Sequence, residues 1–234
     1  MRTILAVDGG TYFHHFSYED PEVARHIRRR VHVRDLPGAD LSGVDVVVLP
    51  CRIDPDAMLP ARQALRDYLD GGGTVVSLNA EAAEEILPGV AVTPAEVNFW
   101  WWLNPATDPG IRIVRPIHPL FRHVGAGDVV WHYHGLLTPP PGAVPLVEVA
   151  GRGALFYVDR VSTAGRLVVT TLDPLFHHGS NFMPAATRLL YGLMEWLAEG
   201  DLGDAMTPTE APAGGAAPPP IPASDGTPPP RCCA

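Results

Sequence analysis

Lysine is absent from the 234-residue sequence, whose 17 basic residues are all arginines. That excludes Schiff-base chemistry and the phosphate-gripping lysine of a P-loop. Cysteine is nearly absent as well. Of the three present, Cys51 stands alone, while Cys232 and Cys233 close the sequence. Such usage gives neither a disulfide framework nor a cysteine-based zinc signature. No apolar run approaches the ~20 residues that cross a bilayer, and the apolar start of "MRTILAVDGG" is too short for a signal segment. Positive charge is scarce too. A net charge of -9 argues against non-specific nucleic-acid binding, which needs clustered cations. These absences lead us to expect a soluble, cytoplasmic protein with no nucleic-acid or membrane partner.

What is present is an ordinary globular composition, 46% hydrophobic. We expect one domain over residues 1–203, followed at 204–234 by a Pro/Ala-rich stretch without periodicity that reads as a disordered tail. "RTILAVDGG", "DVVVLP" and "TVVSL" read as buried strands. Between them, "DPEVARHIRRR" reads as a helix with an acidic, Pro-containing start, and "PARQALRDYLDGGG" as a helix from Pro60 to a glycine cap. Strands that are nearly all apolar and alternate with helices predict a parallel sheet covered on both faces. In the second half, "IRIVRPIHPLF", "DVVWHYHGLL", "VPLVEVA" and "GALFYVDRV" read as added strands, "GRLVVTTLDP" as a return to the sheet, and "PAATRLLYGLMEWLAEG" as a long amphipathic helix. The predicted fold class is α/β: a flavodoxin-like three-layer α/β/α domain with a mostly parallel central sheet and an added β-rich segment.

Three segments carry paired histidines: "DGGTYFHHF", "VVWHYHGLL" and "TLDPLFHHGSN". In an extended backbone, residues two apart share a face, so His132 and His134 point together. Side-by-side imidazoles suit a divalent metal, here zinc, manganese or iron. The carboxyl ends of parallel strands open on one edge, where ligands bind, and His14, His15, His177 and His178 all follow such strands. We therefore expect His14, His132, His134 and His178 as metal ligands. His15, His134 and His177 are expected acid and base groups, with Asp173 orienting an imidazole. A metal-free polar pocket, or plain surface histidines, fit the same pattern. His26 and His32 are expected at the surface of a basic helix, and His118 and His123 are expected to hold a loop.

Gly9, Gly10 and Tyr12, beside the end of the first strand, are expected to contact substrate, since glycines permit close backbone approach. In "NFWWWLNP", Trp101 fits a sugar platform, a core face, or an interface between copies that would make the chain a homo-oligomer. Asn79 is an expected substrate contact and equally a helix N-cap.

Taken in order, "ILAVDGGTYFHH", "IHPLFRHVGAGDVVWHYHG" and "GRLVVTTLDPLFHHG", with the C-terminal helix, resemble the ThuA-like family of the class I glutamine amidotransferase-like superfamily over about residues 1–199. The resemblance implies a carbohydrate ligand and matches Asp128 and Tyr133 to the family's acidic residue and tyrosine, making Tyr133 a further expected substrate contact. Glutaminase activity is not expected. The elbow-like turn "VVSLNAEAAEE" offers Ser77, Asn79 and Glu81 but no cysteine. The leading expectation is a sugar or polyol enzyme; the alternative is a non-catalytic amidotransferase-like domain used for binding or assembly.

Overall fold

Short runs of β-branched residues make the sheet, and their alternate side chains feed two separate cores. The computed structural model describes residues 1–78, 83–95 and 108–203. Five strands run parallel at the centre, in the order β2 (Ile27–His32), β1 (Ile4–Asp8), β3 (Val46–Leu49), β4 (Thr74–Ser77) and β10 (Arg166–Thr170). Antiparallel to β10 lies β9 (Gly153–Asp159), which carries β8 (Val144–Val149) along its other edge. Beyond these, β6 (Ile111–Ile113) pairs with β8, and β5 (Val92–Pro94) pairs with β7 (Gly135–Leu137).

One detail of register places the candidate site. β10 stops at Thr170, opposite Phe156 of β9. Beyond that point β7 takes over, with Leu137 opposite Ala154, while Ala154 also faces Glu148 of β8. The residues just before β7 are thereby laid across the carboxyl end of β10.

Because successive strand residues point to opposite faces, Ile4, Ala6, Val46, Val48 and Val168 enter one core and Leu5, Val7, Val47, Val75 and Val169 the other. The first core is closed by α7 (Pro184–Glu199), whose Leu189, Leu190, Leu193 and Leu197 are buried. Each such side chain contributes roughly 1.5–3 kcal/mol of burial. The helices α1 (Tyr12–Glu19), α2 (Pro21–Ala24) and α6 (Pro174–Gly179) pack with one another or with α7 on this side. The second core takes Leu65 and Leu69 of α4 (Arg62–Asp70), with Met58 of α3 (Pro55–Met58) and Ile86 of α5 (Ala83–Ile86). The three-layer α/β/α arrangement with an added antiparallel segment is the expected one.

Three local readings are corrected. "DPEVARHIRRR" is not one helix: Asp20 caps only the four residues of α2, and the chain then enters β2. There Ile27, Arg29 and Val31 are half-buried while Arg28, Arg30 and His32 are exposed, a period of two that overrides the helical start. His26, before β2, is buried rather than at the surface. Both terminal histidine pairs follow strands as expected, on the helices that come next, α1 capped by Thr11 and α6 opened by Pro174. Finally, residues 131–134 form no strand; β7 begins only at Gly135. Asn79, Trp101 and the tail at 204–234 lie outside the described residues.

Candidate metal centre

Two buried threonines tie the end of β10 to β9 and to the "WHYH" segment. Thr170 Oγ1 donates to the carbonyl of Leu155 at 2.9 Å, and Thr171 Oγ1 donates to that of Gly135 at 2.8 Å. The backbone N–H of His134 donates to Thr171 O at 3.1 Å. Two residues further on, Asp173 adopts a left-handed conformation (φ 56°), and Pro174 starts α6 as its first residue. A proline there is preset for a helix and lacks an N–H that would go unpaired. This turn carries His177 back over the end of β10, beside His132 and His134.

These three side chains form a group whose ligating nitrogens all lie within 4.8 Å of one another. Ring centroids are 4.2 Å apart for His132 and His177, 5.1 Å for His132 and His134, and 5.6 Å for His134 and His177. The Nε2 atoms of His134 and His177 approach to 3.3 Å. Bonds of 2.0–2.1 Å at tetrahedral angles put two imidazole nitrogens of a zinc site about 3.4 Å apart. The observed spacing is close to that value and is also within reach of a direct hydrogen bond between the two rings. His177 Nδ1 is buried with no hydrogen-bond partner among the described residues.

All three rings are held neutral, the form in which imidazole is a ligand. Burial is the leading cause throughout. It brings His177 down to about 2, helped by His132, His134 and Arg52, and His132 to about 3, helped by His134 and Arg52. His134 falls to about 4, again by burial first and Arg52 second.

Asp173 brings a carboxylate to the same place. Its Oδ2 accepts from Arg52 Nε at 2.8 Å and lies 3.4 Å from His134 Nε2. Arg52 follows β3, has φ 54°, and sets its guanidinium carbon 3.7 Å over the Phe176 ring. The two ends of this ion pair are therefore both non-glycine residues in the left-handed region, a conformation of some cost that surrounding structure must impose. The half-buried Phe176 and exposed Phe182 flank the imidazoles, Phe182 at 5.0 Å from His177, and Trp131 meets His177 edge-on at 5.0 Å.

Other expected site residues fall elsewhere. His14 is buried with both nitrogens engaged: Nδ1 accepts from Gly9 N at 3.1 Å, and Nε2 meets Cys51 O at 2.7 Å as donor. It ties the β1 and β3 loops together and has no lone pair left for an ion. Gly9 serves that packing, since a Cβ there would lie 2.9 Å from His14 Cε1. Gly10 takes a positive φ of 76°. His15 and Tyr12 are exposed on α1. His178 sits in a junction of helices, with Nδ1 3.1 Å from Thr187 Oγ1 and Nε2 3.6 Å from Asp20, which also accepts from Tyr191. Tyr133 is buried, and its hydroxyl accepts from Arg152 at 3.5 Å. Cys51 is buried with its thiol pushed up by burial and then by Asp173, which keeps it protonated and a poor nucleophile.

Sequence reasoning missed Arg52, Phe176 and Phe182. Only Arg52 left a trace, as a basic residue in the loop after the buried strand "DVVVLP".

The described residues thus form a three-layer α/β/α protein in which three histidines and the carboxylate of Asp173 meet at the strand ends. No family model and no curated protein matches the chain. Among solved structures it is similar to an exo-beta-1,4-mannosidase from Opitutaceae bacterium strain TAV5, with TM-score 0.46 and 14% identity over 86% of this chain and 36% of that one. A glutamine amidotransferase from Thermotoga maritima gives TM-score 0.49 and 13% identity over 85% of this chain and 98% of that one. An alpha-L-fucosidase isoenzyme 2 from Paenibacillus thiaminolyticus gives TM-score 0.44 and 11% identity over 85% and 33%. The chain spans about a third of the length of the mannosidase and the fucosidase. Among the described residues, no helix is long and apolar enough to cross a membrane.

Proposed function

We propose that this chain is an enzyme acting on a small polar molecule, of the sugar or polyol class, through a divalent metal held by His132, His134 and His177. The observation that carries the reading is the 3.3 Å separation of two imidazole nitrogens in a group of three rings, two buried and one half-buried. Three protein ligands leave a tetrahedral ion one open position for water or substrate, the pattern of catalytic rather than structural zinc sites. Imidazole donors suit zinc, and also iron and, less well, manganese.

Asp173 is the proton-handling group of this reading. At 3.4 Å from His134 Nε2, it is the one carboxylate within 4 Å of any of the three imidazoles among the described residues. Arg52 holds it in place at 2.8 Å, where it would accept a proton from a water or hydroxyl of the ligand. The sugar or polyol assignment is what the resemblance of the sequence motifs to the ThuA-like family implies.

Metal analysis of the purified protein tests the proposal. We expect one equivalent of zinc, iron or manganese per chain, absent from a His134→Ala variant that keeps the wild-type circular dichroism spectrum. Protein that stays metal-free after reconstitution with zinc would overturn it.

A further inference from the structure

A cavity of about 220 Å³ lies at the far end of β9 from the three imidazoles. Val144 of β8 and Val158 of β9, opposite each other in the ladder, form one wall. Leu202 and Gly203, just after α7, form another, and the exposed Val161 stands at the mouth. The side chains that line it are apolar apart from Arg160 and His118. Arg160 already has an interaction of its own. His118 is only 3% exposed.

The His118 ring is fixed in both orientation and tautomer. Its Nδ1 accepts from Leu120 N at 3.2 Å, so the ring is neutral and carries its proton on Nε2. Buried Trp196 meets it edge-on, with centroids 5.8 Å apart. Nε2 has no hydrogen-bond partner among the described residues. It faces Gly203, where an added Cβ would stand 2.9 Å away. A side chain at that position would crowd the N–H; glycine leaves the approach open. A buried donor left unmatched costs about 1–3 kcal/mol. One water could take the hydrogen, but its share of volume is only about 30 Å³, and the valine and leucine walls offer it nothing more. An apolar cavity of roughly 150 Å³ takes up benzene, so in proportion this one has room for about nine non-hydrogen atoms. We infer that the cavity binds a small, mostly apolar molecule with one accepting oxygen. That oxygen takes the Nε2–H of His118, and the rest of the molecule covers Val144, Val158 and Leu202. The site is separate from the metal centre and does not depend on it.

The test uses the isotope-labelled full chain, followed by amide and imidazole NMR. Acetophenone is the probe; ethylbenzene, similar in shape but without the oxygen, is its control. We expect acetophenone to shift the amide signals of Val161, Leu202 and Gly203 and the Nε2–H signal of His118. Ethylbenzene should move the same amides but bind about 2- to 12-fold more weakly, the worth of one hydrogen bond. In His118→Asn, which keeps an acceptor for Leu120 N, the preference for acetophenone should vanish. Val161→Phe, at the exposed mouth, should weaken both probes alike. No shift at Leu202 and Gly203 with either probe would overturn the site. Equal affinity for the two probes in the wild type, or an unchanged preference in His118→Asn, would overturn the role of His118 and the ligand class with it. The wild-type comparison needs no variant, so it decides the ligand class even if His118→Asn fails to fold.

Discussion

One carboxylate oxygen, Asp173 Oδ2, lies 2.8 Å from Arg52 Nε and 3.4 Å from His134 Nε2, joining the loop after β3 to the segment before β7 across the end of β4. That oxygen faces the same Nε2 through which His134 would bind an ion, so Asp173 stands on the ion's side of the ring, where loss of its charge should lower affinity by roughly 10- to 100-fold. Asp173→Asn keeps the shape and tolerates the left-handed backbone. We expect it to lower zinc affinity by about that factor with little change in thermal stability, measured by competition against a chromophoric chelator.

Ligand binding to the native state alone should stabilise the fold. At a free zinc concentration of 100 times the dissociation constant, the gain is about 2.7 kcal/mol. Thermal unfolding of the wild type should shift upward with zinc and return with a chelator. His132→Ala, His134→Ala and His177→Ala should each lose most of the shift. A similar shift in all three would mean that zinc binds elsewhere.

The sequence displayed the sheet more fully than the site. "DVVVLP" and "GRLVVTTL" declare themselves as strands because β-branched runs bounded by turn residues have few other uses. "DPEVARHIRRR" misled because its cap and proline are real, yet serve only the four residues of α2, while the alternation of Ile27, Arg29 and Val31 sets the extended backbone of β2. The convergence of His132, His134 and His177 depends on β7 replacing β10 along one edge of β9, a long-range register that no local pattern encodes. His14 and His178 resemble the other histidines in sequence, but hydrogen bonds to Cys51 and Thr187 set them apart, and those partners are distant or unmarked in the chain.

α6 must press closely on α1 for His177 to reach its neighbours. At Gly179, an added Cβ would stand 2.5 Å from Phe13 O and 2.6 Å from Phe13 Cβ. Backbone cannot yield cheaply, so we expect Gly179→Ala to cost on the order of 1–3 kcal/mol in chemical denaturation and to weaken metal binding as well. A variant with wild-type stability would show that the helix packing is looser than the distances imply.

His118 provides a pH signature away from the metal centre. Its Nδ1 accepts from Leu120 N at 3.2 Å, capping the turn Pro119–Arg122. Burial is the main reason it titrates near 4 rather than 6.5, with Asp201 raising and Arg166 lowering the value. Between these values the unfolded chain binds the proton and the folded chain does not. Stability should therefore fall as pH drops from about 6.5 to about 4 and then level off, by at most on the order of 3 kcal/mol from this residue. His118→Asn keeps a capping acceptor and removes the titration. The difference between wild type and variant, in urea melts from pH 7 to 4, isolates it from the other buried histidines.

Anomalous diffraction from crystals soaked in zinc tests the central claim most directly. We expect one peak per chain within 2.0–2.1 Å of His134 Nε2 and His177 Nε2, with His132 as the third protein ligand. A zinc-soaked crystal with these rings ordered and no peak between them, or with a peak only at surface carboxylates, would contradict it.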